Sequence, residues 1–111
     1  MQVPKPTDAD RERFRALVPD GAGVEVKPMF GNLGAFVNGN MFIGLFGAQI
    51  GVRLPPDAAA ELRAVEGAGP FGPAERPMGG YVTLPAAYMD GDEWRAWVDR
   101  ALEHVGTMKP K

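Results

Sequence analysis

The 111-residue chain contains no cysteine and no serine, and it has a single histidine, His104. These absences exclude disulfides, cysteine metal sites and the two commonest covalent nucleophiles. No apolar run approaches the roughly 20 residues that a membrane-spanning helix needs. The N-terminal residues, MQVPKP, lack the apolar core of a signal peptide. We therefore predict a cytoplasmic protein that uses neither disulfides nor a Ser or Cys nucleophile.

The chain also has no excess of positive charge, because it contains 12 Lys and Arg residues and 14 Asp and Glu residues. Binding to duplex DNA depends on neutralising phosphates with Lys and Arg, so direct nucleic-acid binding is disfavoured. It stays a third alternative, on a local patch of Arg11, Arg13, Arg15 and the C-terminal lysines. The length fits one domain over residues 1–111, with frayed tails over about 1–6 and 107–111.

The remaining polar residues give little chemistry. His104 falls in the last turn of a predicted helix, where a cation is favoured, and no hydroxyl or thiol nucleophile is identifiable beside it. Asp90, Asp92 and Glu93 cluster where that helix begins, which helix capping explains as well as a metal site does. We predict a protein that is not an enzyme, with no catalytic residue, metal or cofactor.

Glycine turns organise the stretch from residue 24 to residue 54. Asn38-Gly39 is the sequence signature of a type I′ hairpin turn, and Gly47-Ala48 makes a second tight turn. The apolar runs between them read as four strands. Helices are predicted near the N-terminus, with Thr7 or Asp8 as N-cap, after residues 55–56, and at residues 94–105. A last strand is predicted at residues 80–84. The fold class is α+β, in the order α-β-β-β-β-α-β-α, with about five antiparallel strands and helices on one face.

The two turns also predict which residues share a face of the sheet. A two-residue loop at 38–39 sets Phe36 opposite Met41 and Gly34 opposite Ile43, and the loop at 47–48 sets Gly44 beside Gly51. The predicted core face holds Phe36, Met41, Ile43, Leu45, Ile50, Val52 and Leu54. The predicted opposite face holds Ala35, Phe42, Gly44, Phe46, Gln49, Gly51 and Arg53.

This opposite face would be a glycine floor between two phenylalanines. An apolar sheet face without a cover normally marks an interface. We therefore predict a protein partner or self-association, such as a homodimer, through Phe42, Gly44, Phe46 and Gly51, or through a sheet edge. The alternative is that a helix or the loop at residues 66–79 covers the face.

A second candidate site pairs two cations. Lys27 lies on the first predicted strand, and Arg76 lies in the long loop stiffened by three prolines. The two are either ordinary solvated charges or part of a small anion-binding or ligand-binding pocket, in which case their side chains converge on one cleft. The predicted lining of that pocket is Met29, Phe30, Met78 and Tyr81.

Several short motifs, in the same order, resemble the TfoX N-terminal domain family. They cover the chain from about residue 14 to residue 105, and a closing helix with Trp94 and Trp97 fits the same pattern. The motifs are residues 26–31 (VKPMFG), 41–47 (MFIGLFG), 52–55 (VRLP), 70–73 (PFGP) and 76–82 (RPMGGYV).

The resemblance implies an α+β fold and kinship with regulators of DNA-uptake competence. The longer regulators carry a separate C-terminal domain, and this chain stops at Lys111, so a stand-alone member is expected. The resemblance supplies no catalytic residues, although Lys27, Arg76 and Met78 match its motifs. The first hypothesis is thus a non-enzymatic regulatory or protein-interaction domain, and the alternative is a small-ligand or anion-binding module using Lys27 and Arg76.

Overall fold

The computed structural model describes residues 4–29, 31–73 and 75–110. Within them, a six-stranded antiparallel sheet has the strand order β1-β2-β3-β4-β6-β5. The helices are α1 (Asp8–Leu17), α2 (Pro56–Arg63) and α3 (Trp94–Gly106), with a 3-10 helix at Ala86–Asp90. The strands are β1 (Val24–Met29), β2 (Asn32–Val37), β3 (Asn40–Phe46), β4 (Gln49–Arg53), β5 (Gly69–Pro70) and β6 (Tyr81–Thr83).

The predicted α+β class is confirmed. All three helices contribute apolar side chains to one buried core with one face of the sheet, including Phe14 from α1, Leu62 from α2 and Val98 from α3. The strand β5 was not predicted, because two residues, one of them a proline, carry no alternating pattern. None of the helices within the described residues is both long and apolar enough to cross a membrane.

The hairpin turns form where the sequence predicts them. Asn38 and Gly39 both have positive φ, 52° and 84°, as a type I′ turn requires. Beyond the second turn, Gly44 pairs with Gly51 and Leu45 with Ile50, which confirms that part of the predicted register.

One β-bulge changes the faces of the first hairpin. Phe36 faces Met41 as predicted, but Ala35 faces Ile43, so Phe42 is an extra residue on β3. Gly34 then faces Gly44 instead of Ile43. The inserted residue breaks the strict alternation of side chains between the two faces, which the prediction assumed.

The predicted face assignment was therefore wrong at Phe36, Met41 and Phe42, and also at Ala35, which is buried in the core and not on the opposite face. Phe42 is fully buried in the core beneath the helices, not on the opposite face. Phe36 and Met41 pack in a separate cluster on the opposite face, not in the core. That opposite face is called the second face below.

The last helix begins differently from the prediction. Neither Asp90 nor Asp92 caps α3: its N-cap is Glu93, without a side-chain hydrogen bond. The 3-10 helix occupies the chain as far as Asp90, which displaces the start of α3. At the other end, α3 extends one residue beyond the predicted range, to Gly106.

Two buried asparagines on the sheet form hydrogen bonds with backbone near the two ends of the chain. Asn32 Nδ2 donates to the Pro4 carbonyl over 3.1 Å, and Asn40 Nδ2 donates to the Lys109 carbonyl over 3.0 Å. Both contacts lie inside the segments that the sequence predicts to be frayed. The amide groups of Asn32 and Asn40 thus hold the described ends of the chain close to the domain.

The N-terminus of α1 gives a pH-dependent prediction. Thr7 N–H donates to the Asp10 carboxylate over 2.9 Å, and Asp10 N–H donates to Thr7 Oγ1 over 3.1 Å. The hydrogen bond from the Thr7 backbone is the main reason that the pKa of Asp10 lies below its ordinary value of 3.8. A lowered folded-state pKa stabilises the protein above pH 3.8, and this stabilisation disappears as the pH falls through the folded value.

Asp10→Ala is therefore expected to lower the thermal midpoint at neutral pH and to have a shrinking effect below pH 3.8. Asp8→Ala is the matched control, since it removes another first-turn carboxylate that takes no part in the capping box. Melting curves between pH 2 and pH 7 check this. An Asp10→Ala effect that is constant over that range would contradict it.

Candidate binding groove

The second face of the sheet has a floor of glycine. Gly34, Gly44 and Gly51 lie side by side on β2, β3 and β4, and the ring of Phe71 lies against the last two. A Cβ on Gly44 would come within 2.9 Å of Phe71 Cε2, and a Cβ on Gly51 would overlap the ring. Only glycine leaves room for this ring, so Phe71, from the loop at residues 66–79, covers Gly44 and Gly51, as one of the two sequence alternatives proposed.

The Phe71 ring is fixed from several sides. It makes an edge contact with Phe46, with ring centroids 6.3 Å apart, and a tilted contact with Tyr81 at 6.0 Å. The backbone on either side is also held, because Met78 N–H donates to the Phe71 carbonyl over 2.8 Å and Thr83 Oγ1 donates to the Pro70 carbonyl over 2.8 Å. Phe71 is consequently 2% exposed.

Beside the ring lies an apolar groove of about 310 Å³. Three of the six methionines of the chain line it, and its rim residues Met29, Phe46, Pro73 and Met78 are half-buried, so the groove opens to solvent. The other lining residues are Asn32, Leu33, Met41, Gly44, Leu45 and Phe71. We call this site the methionine groove.

The groove offers an incoming group almost no polar partner. Asn32 is its polar lining side chain, and both ends of its amide are already bonded: Nδ2 to the Pro4 carbonyl and Oδ1 to Gly47 N–H at 2.8 Å. The site therefore suits an apolar group, and the flexible, polarisable methionine side chains suit groups of more than one shape.

The structure brings together part of the predicted pocket. Met29 and Met78, which are 49 residues apart in the chain, line the groove together. Tyr81 packs in the same apolar cluster. Phe30 lies outside the described residues.

The two predicted cations are not part of the groove lining in the described chain. Lys27 Nζ lies 3.5 Å from the Glu25 carboxylate and 5.4 Å from the centre of the Phe36 ring. Arg76 is exposed, and its backbone N–H donates to the Pro73 carbonyl over 3.1 Å. Their joint role in anion binding stays a prediction.

The predicted interface residues do not form an open surface. Phe42 has no exposed area, and Phe71 lies over Gly44 and Gly51. Phe46 is half-buried at the rim of the groove. The loop at residues 66–79 and the bulge at Phe42 are the physical reasons, and an interface role for these four residues stays a prediction.

Sequence reasoning missed the residue on which the site depends. The adjacent glycines were the available signal, because a sheet surface without side chains implies that a large side chain from elsewhere in the chain packs on it. Nothing local indicates that the side chain comes from a loop 20 residues beyond Gly51. Met41 was missed because the bulge changes its face.

Tyr81 closes the floor next to Phe71. Its hydroxyl donates to the Met41 carbonyl over 2.9 Å, and the Arg53 guanidinium lies 5.8 Å from the centre of its ring. Burial raises the pKa of Tyr81 above its ordinary value of 10.0, and the positive charge of Arg53 opposes that shift. The hydroxyl is thus kept as a neutral donor.

Tyr81→Phe is expected to cost about 1–2 kcal/mol of unfolding free energy at pH 7, because the Met41 carbonyl loses its buried partner. A raised folded-state pKa also means that the contribution of Tyr81 is present below pH 10.0 and lost as the pH rises through the folded value. Urea titrations at pH 7 and above pH 10 check this. The difference in unfolding free energy between wild type and Tyr81→Phe should shrink above pH 10. A difference that grows there would contradict the prediction.

A comparison with protein families decides the relationship. The family model described as the TfoX N-terminal domain matches residues 12–105, which include every strand and every lining residue of the methionine groove. The chain belongs to the TfoX N-terminal domain family. The TfoX N-terminal domain is a regulatory domain family and not a known enzyme family. A comparison with curated proteins gives no match.

Proposed function

We propose that this TfoX N-terminal domain is a non-enzymatic regulatory module that binds a protein partner through the methionine groove. The observation that carries the proposal is an apolar groove, open at its rim, whose floor and wall are fixed by Gly44 and Phe71. Family membership supports a regulatory role related to that of competence regulators. The cytoplasmic location predicted from the sequence belongs to the same proposal.

The size and chemistry of the groove favour an apolar side chain from a protein over a larger molecule. Its volume of about 310 Å³ is at the lower end of the roughly 300–1,000 Å³ typical of small-molecule pockets. Drug-sized ligands and cofactors also need several well-placed polar groups, whereas the amide of Asn32 is already bonded within the chain. One or two aliphatic or aromatic side chains on a partner surface match both properties.

Matched lysine substitutions test the proposal. Met78 lies at the rim of the groove, whereas Met89 is also half-buried but packs against the core on the helical side. Wild type, Met78→Lys and Met89→Lys are used as baits in cross-linked extracts of the native cell, and the recovered partner is then purified for titration calorimetry. Melting curves confirm that both variants fold.

We expect the purified partner to bind wild type and Met89→Lys alike. It should bind Met78→Lys at least about tenfold more weakly, because burying a methionine side chain contributes roughly 1.5–3 kcal/mol. A partner that binds all three proteins equally would contradict the groove as the contact site.

A further inference from the structure

The strand β1 is an edge of the sheet, and it is unusually open. Four of its six residues are exposed, and no other strand pairs with its outer side within the described residues. Val26 is 37% exposed, and it is the one large apolar residue that is exposed within the described residues. An edge of this kind is a template for pairing with another strand.

The backbone hydrogen bonds show which groups of β1 point outward. Asn38 N–H donates to the Gly23 carbonyl over 3.1 Å. Facing pairs of an antiparallel ladder alternate between bonded and non-bonded, so the backbone groups of Val24 and Val26 and the carbonyl of Pro28 point away from β2.

Most of the outward donors are already used or missing. Val24 N–H donates to the Gly21 carbonyl over 3.2 Å, and Pro28 has no N–H. The N–H of Val26 is therefore the one outward-pointing donor of β1 that is still available for pairing. Any strand that pairs here is held to a register centred near Val26.

The charges of β1 are complementary to β1 itself. In an antiparallel pair of two copies centred on Val26, each Val26 N–H meets the Val26 carbonyl of the other copy. Glu25 of each copy then faces Lys27 of the other, in a non-bonded pair where the Cα atoms approach to about 4.5 Å. Registers centred on Glu25 or on Lys27 would instead place like charges opposite each other, which is unfavourable.

We propose that β1 pairs with β1 of a second copy of this chain, in the register centred on Val26, to form a two-fold symmetric dimer. Glu25 and Lys27 already form an exposed pair at 3.5 Å within each chain, and dimerisation exchanges these two pairs, one in each chain, for two pairs between the chains. Because Pro28 and the Gly21–Val24 turn limit the backbone ladder, the dimer is weak and depends on concentration.

The dimer would have a direct consequence for the methionine groove. A two-fold axis perpendicular to a continuous sheet keeps the same face of each copy on the same side. Met29, the last residue of β1, lines the groove, so the two grooves would flank the joined strands. A partner with two apolar anchors could then bind both copies. The pairing of β1 itself does not depend on the groove being a binding site.

Charge reversal tests the proposal by analytical ultracentrifugation. The proteins are wild type, Glu25→Lys, Lys27→Glu and the double exchange E25K/K27E, at concentrations from micromolar to near-millimolar. Both side chains are more than half exposed, at 65% and 52%, so the substitutions leave the core untouched. An equimolar mixture of the two single variants is the fifth sample.

We expect wild type and the double exchange to dimerise reversibly, with a dissociation constant that rises with salt. Each single variant should dimerise about tenfold or more weakly, because two attractive cross-strand pairs become repulsive. The mixture should form heterodimers, since one copy then presents two positive charges to the two negative charges of the other. In wild type, hydrogen exchange at the Val26 amide should slow as the concentration rises.

Three results would overturn the dimer. One is a wild-type protein that stays monomeric to near-millimolar concentration. Another is single variants that dimerise as tightly as wild type. The last is a double exchange, or a mixture, that fails to restore dimerisation while wild type dimerises.

Discussion

Phe71→Ala is expected to lower the free energy of unfolding by about 3–5 kcal/mol, as is usual when a buried phenylalanine is truncated. The ring is 2% exposed and lies on two glycines, which cannot fill the space that its removal leaves. Urea denaturation followed by circular dichroism measures the loss. Removing the ring also releases the loop at residues 66–79 from the sheet, so cleavage by a protease within that loop should become faster.

Phe46→Ala is the matched control for that result. Phe46 touches the same ring, with centroids 6.3 Å apart, but it is half-buried at the rim of the groove. Its truncation should cost clearly less than that of Phe71 and leave the loop resistant to the protease. A Phe71→Ala loss below that of Phe46→Ala would show that the loop does not cover the sheet.

Gly51→Ala should destabilise the protein by about 1–3 kcal/mol, the usual cost of overpacking a tight contact. The sign is the informative part, because glycine in the middle of a strand is ordinarily less stable than alanine by roughly 0.5–1 kcal/mol. Here the new Cβ overlaps the Phe71 ring. Gly69→Ala is the control, since a Cβ there meets nothing within 4 Å.

A double-mutant cycle isolates the cause of the Gly51 effect. In a Phe71→Ala background the new methyl group has space, so Gly51→Ala should become neutral or stabilising. The coupling between the two sites should reach about 1–3 kcal/mol, as for residues in direct contact. An equal effect of Gly51→Ala in both backgrounds would mean that Phe71 is not the residue on the glycine floor.

The fold was predictable where one short signal dictates the backbone. Asn38-Gly39 fixed the first hairpin, and the second turn correctly placed Gly44 beside Gly51. The bulge at Phe42 was not predictable, since an extra residue in a strand composed of apolar side chains leaves no break in the pattern. One inserted residue was enough to exchange the environments of Phe42 and Met41.

The candidate site was predictable only in part, for a related reason. Met29 and Met78 were expected to lie together, and they do. Lys27 and Arg76 were expected to join them, but the lining of the groove includes neither. The decisive contact, Phe71 on Gly44 and Gly51, connects a loop to a sheet. Periodicity within one element carries no information about such a contact.

The family result and the groove point in the same direction. Residues 12–105 belong to a regulatory domain family. The proposed function places that regulatory role in the methionine groove, on the side of the sheet opposite the helices. Phe71 and the glycine floor set its shape.

Methyl NMR of the methionines tests the groove most directly. The protein is labelled at the methionine methyl groups and titrated with the apolar dye 1-anilinonaphthalene-8-sulfonate, and Met→Leu variants assign the signals. Met29, Met41 and Met78 line the groove, whereas Met89 and Met108 pack against the core on the helical side. We predict saturable shifts of the first three methyl signals, stationary signals for the other two, and loss of the shifts in Met78→Lys. Shifts of Met89 and Met108 as large as those of the groove methionines, or no shift of any groove methionine at millimolar dye, would contradict the methionine groove as a binding site.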